Sequence, residues 1–182
     1  YQVAYNSLLQ ERRRVLHAKI VEALERLHPD RLAEHVERLA QHAFRGEMWE
    51  KALTYFRQAG NKAATRSAHR EAVSCFEQAL AVLTHLPESR EMLELAIDLR
   101  LDLRNALYPL AELGRILDYL REGEALAKSL GDQGRLGWIS IYMSTQFWAV
   151  GDHERAVESG QQALTVASSL GDLALQVQTN GR

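Results

Sequence analysis

Three prolines, one cysteine and no unbroken apolar stretch of membrane length mark what this 182-residue sequence lacks. A membrane span needs about 18 consecutive apolar residues, so no membrane partner is expected. With Cys75 alone, no internal disulfide can form, and the reducing cytoplasm is the expected compartment. No histidine lies within a helical turn of Cys75, so an inert, half-buried thiol is expected there rather than a nucleophile. Charge of one sign is also missing: 22 basic against 24 acidic side chains leave −2. Such a balance has no long-range field to draw a polyanion, which excludes nucleic acid as the expected partner. The run Arg12, Arg13, Arg14 does not alter this, because successive helical residues point about 100° apart and fan around the cylinder. β-branched residues never form a run, and with them goes any expectation of a sheet.

What remains is Ala, Leu, Glu, Gln and Arg at helical spacing, and an all-α chain follows. The organising stretch is 49–83. Ala52, Phe56 and Ala59 set an A-x3-F-x2-A pattern that Ala72, Phe76 and Ala79 repeat. Between them Phe56, Ala59, Gly60 and Ala63 occupy the spacing W-x2-L-G-x2-Y, so one helix serves both its neighbours.

Along the chain, a first helix is predicted from Asn6 or Ser7 to Leu27, with Leu9, Val15 or Leu16, Ile20, Leu24 and Leu27 as its apolar stripe. His28-Pro29-Asp30 ends it, and Asp30 should cap a second helix over 31–44 carrying Leu32, Val36, Leu39, Ala40 and Ala43. Gly46 turns the chain into a helix over 48–66, Ser67 caps the next over 69–86, and Pro87 closes the block. Ser89 should cap a helix over 91–107, with Pro109 as its stop; further helices follow over 113–130, over 136–150 and after Gly151-Asp152. Residues 127–132, AKSLGD, match 167–172, ASSLGD, at a separation of about 40 residues, the period of two-helix arrays. Each glycine suits a left-handed helix end, and each following aspartate suits an N-cap. A ninth helix is predicted from Leu173, with its apolar face unpartnered and available for self-association. The start at Tyr1 and the stop at Arg182 suggest a segment of a longer protein.

The A-x3-F-x2-A helices, the Ala59-Gly60 pair and the Gly-Asp turns resemble tetratricopeptide repeats. The resemblance implies a right-handed superhelical solenoid of antiparallel helix pairs over 30–182, preceded by a lead-in helix over 1–29 that continues from an upstream module. The opening Val3-Ala4-Tyr5-Asn6-Ser7-Leu8-Leu9, followed by Glu11-Arg12-Arg13-Arg14 and Leu16-His17, resembles a second family. It is similar to the junction at which large bacterial signalling ATPases, often fused to class III adenylate or guanylate cyclase domains, pass into their helical-repeat region. That resemblance implies a regulatory or protein-interaction segment, or alternatively an effector-sensing arm, with the nucleotide chemistry upstream. No G-x4-G-K-[ST] loop occurs, and Gly60-Asn61-Lys62 only mimics its tail, so no enzyme activity and no cofactor are expected.

Candidate sites are few. His28, His35 and His42 fall seven apart, but His28 precedes Pro29, and seven helical residues span about 10 Å, too far for one zinc ion. Glu34, Glu37 and Glu47 are expected as a solvated face. The repeat phase places Thr54, Arg57 and Asn61, then Asp98, Leu101, Asn105 and Tyr108, then Trp138, Ile141, Thr145 and Trp148 on a concave groove. Rings with amide and guanidinium donors are what an extended peptide or protein partner needs. The competing expectation is that Trp138 and Trp148 pack between helices, since tryptophan is largely buried on average.

Overall fold

A computed structural model describes residues 2–171, with side chains from Leu9 onward. The chain divides into two compact units, Tyr1–Pro87 and Glu88–Arg182. The boundary falls at Pro87, where the repeat spacing changes. Among the described residues there is no strand, and no helix is long and apolar enough to cross a membrane. The ninth helix expected from Leu173, and the Asp172 cap before it, lie outside the described residues.

The first unit holds α1 (Gln2–Leu27), a 3-10 segment (Pro29–Glu34), α2 (Val36–Arg45), α3 (Trp49–Thr65) and α4 (His69–Leu83). Consecutive helices pack, so α3 lies against both α2 and α4. Next-but-one helices also meet through side chains. Lys51 of α3 pairs with Glu25 of α1 at 2.6 Å, and Gln41 of α2 donates to Gln78 of α4 at 2.9 Å. The core is the repeat motif: Val36, Leu39, Ala40 and Ala43 of α2, Ala52, Phe56, Ala59 and Ala63 of α3, and Ala72, Phe76 and Ala79 of α4 are all buried. A Cβ built on Gly60 would lie 2.5 Å from the Phe76 ring, so the A-x3-F-x2-A aromatic fills the space that the preceding helix leaves by having no side chain.

Two expectations about this unit are corrected. The second helix begins at Val36, not Arg31, and Asp30 caps nothing there; Pro29 opens a 3-10 turn with a non-helical residue, Arg31, inside it. The stripe expected on α1 is only partly realised, with Leu9, Ile20 and Leu24 half-buried. Val15, Leu16 and Leu27 are exposed, and the buried residue is Val21. Part of the inward face of α1 is polar because its neighbours offer matching groups. Arg14 meets Glu47, His17 meets His42, and Glu25 accepts from both Lys51 and Tyr55. A hydrophobic period cannot register such a face.

The second unit holds α5 (Arg90–Leu107), a short 3-10 segment (Tyr108–Leu110), α6 (Leu113–Leu130), α7 (Gln133–Ala149) and α8 (His153–Leu170). Each α-helix packs on the next. As expected, Ser89 caps α5, accepting from the Met92 N–H at 3.2 Å, and Asp132 and Asp152 cap α7 and α8. Where the sequence repeats Ala156-x3-Gly160-x2-Ala163, the close approach recurs with small residues on both sides: a Cβ on Gly160 would meet Ser144 Oγ at 3.4 Å.

One turn joins α2 to α3, α3 to α4, α5 to α6, α6 to α7 and α7 to α8. A left-handed residue stands just before each incoming N-cap: Glu47, Ser67, Ala111, Gly131 and Gly151. The N-cap amide bonds back five residues, as from Met48 to Ala43, Ala68 to Ala63, Asp132 to Ala127 and Asp152 to Phe147, each at 2.9 Å. This satisfies carbonyls left open at a helix end. It also corrects one assignment and gives a further reason for the glycine that turns the chain after α2. Ser67 is the left-handed residue and Ala68 the N-cap. Gly46 has ordinary φ and is needed for contact, because a Cβ there would come within 2.9 Å of the Ala18 backbone nitrogen in α1.

Candidate functional site

The residues assigned to a groove fall in both units. In the first, Thr54 and Asn61 are exposed on α3, with the Thr54 hydroxyl donating to the Glu50 carbonyl at 2.9 Å. Arg57 is half-buried, its Nε shielded from solvent and, among the described residues, without a hydrogen-bond partner. Gly60-Asn61-Lys62 lies within α3, and the Lys62 ammonium reaches the Ala33 carbonyl at 2.8 Å and Glu37 at 3.0 Å. It therefore forms no phosphate-binding loop.

In the second unit, α5 and α7 meet through charged and aromatic groups. Arg135 of α7 grips Asp98 of α5 with both arms of its fork, Nε to Oδ1 at 2.7 Å and Nη2 to Oδ2 at 2.9 Å. It also bonds its own N-cap, Asp132, at 2.7 Å, and Glu94 lies 3.8 Å away. These bonds raise the Arg135 pKa, Asp98 contributing most. At Asp132, burial pushes the pKa up, but the Arg135 backbone and side-chain bonds outweigh it and the net shift is downward. Further along, the Arg104 guanidinium sits 4.8 Å from the centre of the Tyr108 ring and 4.3 Å from that of Tyr142 on α7, a cation between two π faces. It also donates to exposed Asn105 at 3.0 Å. Tyr108 is 48% exposed and Leu101 half-buried.

The other assigned residues divide. Ile141 is buried with Ala163, Val166 and Ala167 of α8, and half-buried Trp138 packs on that cluster while its ring lies 6.2 Å from Tyr142. Thr145 is half-buried and donates to the Ile141 carbonyl at 3.0 Å. Trp148 is 66% exposed and tilts against His153 at the start of α8, 4.6 Å between ring centres. Three residues that join α5 to α7, namely Arg104, Arg135 and Tyr142, went unassigned. The signal available for two of them was spacing: Arg135 and Tyr142 lie seven apart and share a face of α7 with Trp138.

The histidines take a different arrangement from the seven-residue ladder. His28 and His35 rings lie 5.1 Å apart, whereas His42 turns to α1 and meets His17, Nδ1 to Nδ1 at 2.8 Å. Among the described residues no group of three or more His, Cys, Asp or Glu could hold a metal ion. In the His17–His42 bond one ring must donate and the other accept, so the bond is lost when both are protonated. Burial, then the charges of His17, Arg38 and Arg45, lower the His42 pKa from its ordinary 6.5. The unfolded chain therefore binds this proton more readily. Its contribution to stability is complete above pH 6.5 and declines as the pH falls from there toward the folded value. Thermal unfolding of the full chain is expected to show this loss as the pH falls below 6.5, and His42→Gln is expected to flatten it. An unchanged slope in that variant would contradict the assignment. Cys75 is half-buried, and burial, then Glu37 and Glu71, push its thiol pKa up, away from nucleophilic use.

No family model matches this chain, and no curated protein matches it.

Proposed function

We propose that the chain is a non-catalytic, tetratricopeptide-like interaction segment that holds an extended peptide or protein partner on the α5–α7 face of its second unit. The observation that carries this reading is the row of side chains bridging those two helices: Arg104 between Tyr108 and Tyr142, with exposed Asn105 beside it. Rings supply contact area at little entropy cost, and guanidinium and amide groups clamp backbone carbonyls or an acidic side chain. Two features support tetratricopeptide-like pairing: the Gly60–Phe76 interlock in the first unit and the left-handed turn that recurs in both. A right-handed superhelix is the implied arrangement within each unit. The resemblance of residues 3–17 to a signalling-ATPase junction supports a regulatory place in a larger cytoplasmic protein.

Selection of peptides from a random displayed library against the full chain tests this. Enriched sequences are expected, and Asn105→Ala or Tyr108→Ala is expected to weaken their binding about tenfold at unchanged helicity, since exposed residues contribute contact rather than packing. Equal binding by both variants would refute the assigned face.

A further inference from the structure

The first unit carries a cleft that the α5–α7 reading does not use. It lies between the first half of α1 and the junction of α2 with α3, with a volume of about 690 Å3, within the range of small-molecule sites. Three guanidinium groups line it: Arg13 and Arg14 from α1 and Arg45 from the end of α2. The fan expected of Arg12–Arg14 is thus only partly realised, because a cleft this wide takes in two adjacent long side chains, while α2 supplies a third. Two carboxylates also line it, and both already belong to Arg14: Glu11 at 2.6 Å and Glu47 at 3.3 Å. Arg13 and Arg45 are exposed and, among the described residues, have no carboxylate at ion-pair distance.

The rest of the lining includes flat apolar rings, Phe44 and Trp49. The Trp49 ring is stacked on His85 at 4.0 Å with 7° between planes and is met edge-on by Phe44 at 5.6 Å, so it is braced before any ligand arrives. His17 completes the wall and is held by His42. The turn that carries Glu47 into the lining is equally fixed, because Gly46 presses on the backbone of α1 and the next residue, Glu47, takes a left-handed φ of 54° that a non-glycine residue adopts only at a cost. That conformation delivers a carboxylate to Arg14 by the longer and weaker of its two bonds.

From this geometry we propose that the cleft is a binding site for a small organic anion, a phosphate or carboxylate joined to a flat ring, whose oxyanion takes Arg13 and Arg45 and displaces the Glu47 carboxylate from Arg14. Guanidinium forks match both oxyanions, and the indole and phenyl walls match the ring. Glu47 then serves as a tethered occupant that an incoming anion must outcompete.

Titration of the full chain with phenyl phosphate, benzoate and inorganic phosphate tests this, read by calorimetry and by the Trp49 indole resonance, identified through Trp49→Phe. Saturable binding of phenyl phosphate or benzoate is expected, the tighter of the two naming the oxyanion, with inorganic phosphate at least tenfold weaker. Arg13→Gln and Arg45→Gln are each expected to weaken binding about tenfold at unchanged helicity, and Glu47→Gln to strengthen it several-fold. That gain is a response no purely structural role would give. Absence of saturation by either ring-bearing probe, or binding indifferent to both arginines, would overturn the site. Inorganic phosphate as tight as phenyl phosphate would overturn the ring, and unchanged affinity in Glu47→Gln would overturn displacement.

Discussion

Replacing Gly60 with leucine is expected to destabilise the first unit by more than about 3 kcal/mol, because overpacking alone costs about 1–3 kcal/mol in a core that can relax, and this one cannot. Even a single added carbon would lie 2.5, 2.7 and 2.8 Å from three atoms of the Phe76 ring, and that ring is only 1% exposed. A ring buried to that extent in a close-packed core has little room to retreat. Gly60→Ala is the sharper case, since the two effects oppose each other: alanine gains about 1 kcal/mol of helix propensity over glycine. The clash is expected to win, leaving a net loss. Shrinking the ring should then recover it, so Gly60→Ala combined with Phe76→Leu is expected to lose less than the sum of the single changes. Hydrogen exchange of the α3 and α4 amides follows this unit specifically. Strict additivity would mean that the glycine is incidental.

The second large effect is expected at Arg135. Arg135→Met keeps much of the side chain's apolar bulk but removes the fork to Asp98 and the bond to Asp132. Hydrogen bonds between charged groups are worth about 1.5–3 kcal/mol each when buried. The Arg135 and Asp98 side chains are 29% and 32% exposed, so solvent screening reduces that, and a total of about 2 kcal/mol is expected. Arg135→Lys is expected to recover only part, because an ammonium cannot grip both oxygens of Asp98 in one plane. The acid limb gives an independent check. Asp132 titrates below its ordinary 3.8, so its contribution is present above that value and is lost as pH falls through the lowered one. Arg135→Met should make unfolding of the second unit less dependent on pH in that range. Chemical denaturation of the variant at neutral and acid pH measures both quantities.

Much of the architecture was legible because the repeat writes itself in small and aromatic residues. Ala52, Phe56, Ala59, Ala72, Phe76 and Ala79 lie in the core their spacing predicts, and α6 runs from Leu113 to Leu130 as expected. Ser89 and Asp132 cap their helices because their oxygens reach amides that the helix itself cannot satisfy. What stayed hidden has a common cause. Part of the inward face of α1 is polar, so Arg14, His17 and Glu25 carried no hydrophobic signal although each meets a partner on a later element. Left-handed turns at Glu47, Ser67 and Ala111 lack the glycine that marks Gly131, Gly151 and Gly171, so three of six were unreadable. At Asp98, spacing proposed a ligand-facing carboxylate, and its partner, 37 residues away on α7, could be seen only in three dimensions.

Tyr55 shows how such hidden pairings set local chemistry. Its hydroxyl donates to Glu25 at 2.6 Å, and burial together with that carboxylate raises the phenol pKa. Burial also pulls Glu25 upward, but the bonds from Lys51 and Tyr55 prevail and its pKa falls. The pair fastens α1 to α3 and leaves no poised acid or base there.

The most direct test of the proposed interaction role is to label the chain with nitrogen-15 and titrate it with a peptide selected on it, following backbone and side-chain resonances. The α5–α7 assignment predicts that shifts cluster at Arg104, Asn105, Tyr108 and Tyr142 and that Arg104→Ala, still helical, loses them. Shifts centred instead on exposed Val157 and Leu164 of α8, or binding undiminished in Arg104→Ala, would contradict it.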